Sequence, residues 1–145
     1  MIGVIGGNAA DDKNLEFAYQ VGRLIAGRDA ILICGGRGGI MEAACRGAGD
    51  GGGITVGVLP SDDIDSANDY VQIPIATGMG TARNKIIINT AEALIAIDGR
   101  YGTLSEIAFA LDAGKKVIGY NSWDIEGVIS ARTPEQAVKL SMGES

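Results

Sequence analysis

Residues 30–48 read AILICGGRGGIMEAACRGA, and three kinds of chain meet in them. AILIC (30–34) is a short unbroken apolar run, the pattern of a strand buried on both faces. GGRGG (35–39) places four glycines around one arginine, more than a tight turn needs for its positive φ angles. IMEAACRGA, continuing to Gly51, puts Met41, Ala44, Cys45 and Ala48 on one face at helical spacing. A strand that runs through a glycine turn into a helix is half of a βαβ unit.

The same alternation extends both ways. MIGVIGG (1–7) is a strand closed by Gly-Gly. Residues 11–27 predict a helix with Leu15, Ala18, Val21, Leu24 and Ile25 inward, Asp11 or Asp12 as its cap and Gly27 as its end. ITVGVLP (54–60) is a strand stopped by Pro60, and SDDIDSAND (61–69) is an acidic loop. YVQIPIAT (70–77) contains Pro74 and so predicts an edge or irregular strand. A glycine turn and helix follow over 78–93, a strand at ALIAI (93–97), a helix over 102–114 and a strand at KKVIGY (115–120). Residues 123–142 predict a short turn and a helix begun by Thr133-Pro134-Glu135. Continuously apolar strands alternating with helices predict a doubly wound parallel sheet, Rossmann-like and three-layered α/β/α, as one domain over residues 1–145. Ligands of such sheets bind at the carboxyl ends of the strands, where the glycine clusters fall.

The composition narrows the function. The chain has 145 residues, 46% hydrophobic and 21% charged, an ordinary soluble balance, but its 23 glycines are about twice the usual share. The net charge of −6 supplies no basic face for nucleic acid, although backbone amides can still build a local anion site. No basic-then-apolar leader is present and no apolar run approaches the ~18 residues of a membrane span, so a cytoplasmic protein is expected, without nucleic-acid or membrane partners. With no histidine at all, histidine-ligated metals and Ser-His or Cys-His nucleophiles are excluded. No metal ligands are expected. Cys34 and Cys45 both lie in apolar stripes and predict buried thiols in a reducing compartment.

Three stretches carry chemistry. Around Gly35, Gly36, Arg37, Gly38, Gly39 and Met41, amides without Cβ atoms before a helix N-terminus suit a phosphate; a plain βα turn is the simpler reading. No Gly-Lys-Ser/Thr or G-x-G-x-x-G pattern is present. In TGMGTARNK (77–85), Thr77 and Gly78 open a helix with Arg83 and Asn84 in its first turns. A cation there runs against the dipole by some tenths of a kcal/mol, which suggests a phosphate or carboxylate partner; a surface arginine is the alternative. In IDGRYGTLSE (97–106), Gly99, Arg100, Gly102 and Thr103 turn the chain off a strand into a helix. Thr103 and Glu106 fit a capping box, while Glu106 at a strand end also fits a general acid or base. Gly6, Gly7 and Asn8 close the first strand at the same edge. Asp62, Asp63 and Asp65 read as a solvated loop, with magnesium a weak alternative.

GGRGGIMEAACRGA, TGMGTARN and GxxGTLSE, in this order, resemble the lysine-decarboxylase-like superfamily over nearly the whole chain, from GVIGGN to TPEQAV. That superfamily includes the nucleoside 5′-monophosphate phosphoribohydrolases and the molybdenum-cofactor carrier proteins; nothing here supports amino-acid decarboxylation. The resemblance to the hydrolases implies catalytic places for Arg83 and Glu106 in cleavage of an N-glycosidic bond, with the glycine loops on the 5′-phosphate. This chain has Asp98 where that branch has Pro and Arg100 where it has Gly. TGMGTARN and GTLSEIAFAL look more like the carriers, which implies binding of a phosphorylated molybdopterin without turnover. Molybdenum cofactor or a nucleoside monophosphate is thus the expected ligand, no cofactor is required, and a homodimer or higher homo-oligomer is implied. A protein-interaction module with a vestigial pocket is the third reading.

Overall fold

The computed structural model describes residues 1–144. Its strands are β1 (Ile2–Gly6), β2 (Leu32–Cys34), β3 (Thr55–Leu59), β4 (Ile73–Ala76), β5 (Ala93–Ile97), β6 (Lys116–Tyr120) and β7 (Val128–Ser130). Its helices are α1 (Asp12–Gly27), α2 (Ile40–Asp50), α3 (Asn84–Thr90), α4 (Tyr101–Asp112) and α5 (Pro134–Ser141). The sheet has seven strands in the order β4-β3-β2-β1-β5-β6-β7, with every pairing parallel. This is the doubly wound α/β/α arrangement the sequence predicts. The chain winds outward from β1 to β4, then returns to lay β5 beside β1, with Ile2 opposite Ala93 and Gly6 opposite Ile97. Connections leave β1 and β5 in opposite directions, so a crevice opens between their carboxyl ends.

Each face of the sheet has its own apolar layer. One is built by Phe17, Val21 and Ile25 of α1, Met41 and Cys45 of α2, and Val138 of α5. The other is built by Ile87 and Ile88 of α3 with Ile107 and Ala110 of α4. β2, β3 and β5 are buried throughout, while β4, with Pro74, is a half-exposed edge. The proline is tolerated there because an edge strand needs fewer donors.

Local chemistry sets the helix ends. Asp11 caps α1 by accepting from the Asn14 amide at 3.0 Å, and Thr133 caps α5 by accepting from Gln136 at 3.1 Å. α1 ends at Gly27, as expected, and the chain turns away through Asp29 in the left-handed region at φ 56°. Three expectations are corrected. β7 lies where the sequence predicts only a turn; its three residues are too few to show a period. The helix expected over 78–93 is a 3-10 turn, Gly80–Arg83, followed by the shorter α3. The capping box at Thr103 and Glu106 does not form, because α4 already begins at Tyr101 and Thr103 lies inside it. Among the described residues no helix is long and apolar enough to cross a membrane.

Candidate functional site

A cavity of about 840 Å³ fills the crevice at the ends of β1 and β5. Its floor depends on missing side chains. A Cβ at Gly6 would lie 2.4 Å from the Ile97 carbonyl and 2.7 Å from Ile40 Cγ2, so glycine lets β1, β5 and α2 converge. Gly99 takes φ +106°, and a Cβ there would lie 2.3 Å from Thr103 Oγ1. That glycine turns the chain into α4 two residues before the expected cap, which leaves Thr103 packed behind the turn.

Three helices that border this cavity, α2, α3 and α4, carry no side-chain cap. Neither Gly39 before α2 nor Arg100 before α4 offers a capping hydrogen bond, in contrast to α1 and α5. Some first-turn amides of α2 are engaged, such as Ile40 donating to the Gly7 carbonyl at 3.0 Å. At α4 the first intrahelical bond is Leu104 to Arg100, which leaves the three preceding amides for another acceptor. The first turns of α2, at Met41, and of α4, at Gly102 and Thr103, border this one cavity, an arrangement whose geometry and dipole favour an anion.

Three arginines, Arg37, Arg83 and Arg100, line the same space. Arg83 does not point to water: it is 8% exposed. Its Nε donates to the Val58 carbonyl at 2.8 Å, Nη2 to the Gly35 carbonyl at 3.4 Å, and Nη1 to Asn84 Oδ1. A Cβ at Gly35 would sit 2.7 Å from Arg83 Nη2, so a larger residue there would displace the guanidinium. Burial lowers the Arg83 pKa; Glu106 acts against this and Arg37 reinforces it. Glu106 is pushed up to about 7 by burial, with Arg83 pulling it down. Among the described residues no ion pair joins the two, so Glu106 senses Arg83 across a gap.

The departures at Asp98 and Arg100 have a backbone explanation. Asp98 takes φ 53°, which proline cannot adopt, and its amide donates to the Tyr120 carbonyl at 3.1 Å. Arg100 takes φ −117°, open to any residue, while its carbonyl accepts from Trp123 Nε1 at 2.9 Å. An arginine therefore sits on the rim without backbone strain.

Of the residues singled out in the sequence, Gly6, Gly7, Asn8, Arg37, Met41 and Arg83 line the cavity, as do Asn84, Gly99, Arg100, Gly102, Thr103 and Glu106. Gly35, Gly36, Gly38, Gly39, Thr77 and Gly78 lie outside its wall. Gly36 turns at φ +75° against Leu59, and Gly39 crosses the backbone at Gly7 and Asn8. Gly38 donates to Asn8 Oδ1 at 3.2 Å, and Thr77 Oγ1 donates to the Leu59 carbonyl at 2.6 Å. Gly78 faces the acidic loop, 3.6 Å from Asp62 Cβ for a built Cβ. The wall also includes Asp98, marked in the sequence only as a departure from the hydrolase motif, and Ala9, Ala10 and Thr81, whose only sequence signal is adjacency to the glycine turns. Cys34 and Cys45 are free and buried, their sulfurs 3.5 Å apart. Among the described residues no cluster of side chains could hold a metal ion.

Residues 1–144 match the SLOG cluster4 family. The chain belongs to that family. A SLOG cluster4 protein of this sequence is 47% identical to an uncharacterised protein of Archaeoglobus fulgidus, over 99% of this chain and 95% of that one. It superposes on the molybdenum cofactor binding protein of Rippkaea orientalis with a TM-score of 0.92 and 38% identity, covering 98% of this chain and 94% of the other. For the molybdenum cofactor carrier protein of Chlamydomonas reinhardtii the values are 0.88 and 34%, covering 99% and 98%. The cytokinin riboside 5′-monophosphate phosphoribohydrolase of Mycobacterium tuberculosis is 35% identical over 96 residues, 64% of this chain and 51% of that enzyme. The match thus spans about half the length of that relative.

Proposed function

We propose that this SLOG cluster4 protein binds a phosphorylated, nucleotide- or pterin-like ligand and carries molybdenum cofactor as cargo. The observation behind this is the pair of uncapped helix N-termini, α2 and α4, opening on one cavity together with Arg37, Arg83 and Arg100. Such a wall suits the phosphate end of a cofactor, while the remaining volume accommodates a ring system. Similarity to the two cofactor-binding proteins covers nearly every residue, whereas similarity to the phosphoribohydrolase is partial. The reading includes a dimer, in which a second copy covers the exposed stripe of α4.

One observation favours hydrolysis instead. Glu106, raised to about 7, is half ionised near neutral pH, which suits a general base. It would take a proton from water as the water oxygen bonds the ribosyl C1′ and the N-glycosidic bond breaks, the base leaving with the bond electrons.

Incubation with AMP and related monophosphates separates the two. The carrier reading expects thermal stabilisation and no free base by chromatography. Base release that disappears in Glu106→Ala replaces it with the hydrolase. Neither stabilisation nor release overturns both.

A further inference from the structure

Cys34, the last residue of β2, and Cys45, in the second turn of α2, are free thiols closed off from solvent, and their sulfurs lie 3.5 Å apart. They meet across the interface between sheet and helix, 11 positions apart in the chain. A disulfide holds its sulfurs at about 2.05 Å, so the pair is separated from a bond only by a movement of side-chain size. The two sulfurs are not equivalent. The Gly36 amide donates to Cys34 Sγ at 3.3 Å. The Cys34 thiol is drawn below its ordinary value, first by the hydrogen bond with Cys45, and the Gly36 amide and Arg83 add to this against burial. The Cys45 thiol is pushed up by the same hydrogen bond and by burial. Cys34 is therefore the sulfur that forms thiolate, and Cys45 the one that keeps its proton. The pair also lies close behind the large cavity. Met41, one turn before Cys45 on the buried face of α2, lines that cavity, and a flexible thioether is a barrier that a small molecule can displace.

We propose that Cys34 and Cys45 are a redox-sensitive pair, which hydrogen peroxide converts into a disulfide joining β2 to α2. The Cys34 thiolate attacks one peroxide oxygen and the O–O bond breaks. Hydroxide leaves and takes up a proton as water, and Cys34 becomes a sulfenic acid. The Cys45 sulfur then attacks the Cys34 sulfur. The S–S bond forms, the S–O bond breaks, and a second water carries away the Cys45 proton. The two thiols together lose two electrons and one peroxide is reduced to two waters. The new bond closes the chain around residues 35–39 and the first turn of α2, and it requires no ligand in the cavity.

Trypsin separates the two cysteines at Arg37, into peptides 29–37 and 38–46. The folded protein is treated with hydrogen peroxide, the peroxide is removed, and remaining thiols are alkylated in denaturant before digestion. The two peptides should be recovered joined and lighter than their sum by two hydrogens, from protein that runs as a single chain without reductant. Dithiothreitol should separate them. Oxidation of Met41 adds an oxygen instead and is read on the same peptide. The oxidised protein should melt about 5 °C above the reduced one, because a short closed loop restricts the unfolded chain. Cys45→Ser should stop at a Cys34 sulfenic acid, trapped by a 1,3-diketone, while Cys34→Ser should react about tenfold more slowly. Two thiols still open to alkylation after peroxide, or a bond that forms only in denaturant, overturns the pair, and this map of the parent stands without the variants. An oxidised form that melts below the reduced one overturns it too, since the fold would not accommodate the bond. Equal rates in the two variants overturn Cys34 as the attacking sulfur.

Discussion

Glu106 stands on the second turn of α4 with its carboxyl enclosed, and its titration couples the site to stability. Burial raises its pKa from the ordinary 4.5 to about 7. The unfolded chain therefore loses the proton first as pH rises. Between about pH 4.5 and 7 the folded state binds more protons than the unfolded state, so stability falls through that window and levels off above it. The shift corresponds to a loss of up to about 3 kcal/mol. Glu106→Gln keeps the shape and removes the titration. Denaturant unfolding at pH 5, 6, 7 and 8 should show the parent losing stability across the series more steeply than the variant. Identical slopes would mean that the carboxyl is solvated in solution. The sequence left Glu106 between cap and functional group; what decides against the cap is the backbone of Gly99, whose φ no residue pattern prints. The sequence does not show the burial of Arg83 either, since that depends on Val58 and Gly35, far away in sequence.

At the scale of elements, α1 and α2 approach each other through two glycines. A Cβ at Gly22 would lie 2.0 Å from the Ala44 carbonyl, and one at Gly47 would lie 1.9 Å from the Tyr19 carbonyl. Both contacts are with backbone, so a methyl group there must push the helices apart. Gly49, in the same helix, has nothing within 4 Å. Gly47→Ala should cost more than about 2 kcal/mol by the overpacking it forces, whereas Gly49→Ala should stabilise by about 0.5–1 kcal/mol through helix propensity and a less flexible unfolded chain. Opposite signs in two thermal melts check this; equal effects would show that the helix pair is not closely packed. The sequence marked both glycines only as an excess. It made β2, β3 and β5 plain because burial on two faces writes itself as an unbroken apolar run. It hid β7, whose few residues, Val128–Ser130, find their partner only in β6. It also hid the 3-10 turn before α3, because its two positive-φ glycines, Gly78 and Gly80, look from the sequence like any helix-opening turn.

At the scale of the whole molecule, the most exposed large apolar side chains, Tyr101 and Phe109, sit on α4. Ile107 and Ala110 face the core, yet Tyr101 is 81% and Phe109 63% exposed, with Ala108 exposed between them. Tyr101, Ser105, Ala108, Phe109 and Asp112 recur at helical spacing on the outer face. A helix apolar on both sides is normally covered on both, and a second copy of this chain, related by a twofold axis, is the cover that the dimer reading supplies. The N-terminus of α4 lines the cavity, so a partner on this helix would also bound the cavity mouth and tie assembly to ligand access. Phe109→Asp places an unpaired charge at the centre of that stripe. Because Phe109 is mostly exposed in the isolated chain, the substitution should alter monomer stability by no more than about 0.5 kcal/mol, while sedimentation should show the parent at twice the chain mass and the variant at one. A parent that sediments as a monomer would leave α4 uncovered and sink the proposed pairing; a variant that stays dimeric would move the interface elsewhere, with the exposed Ile73 and Ile75 of the edge strand β4 as the next surface to charge.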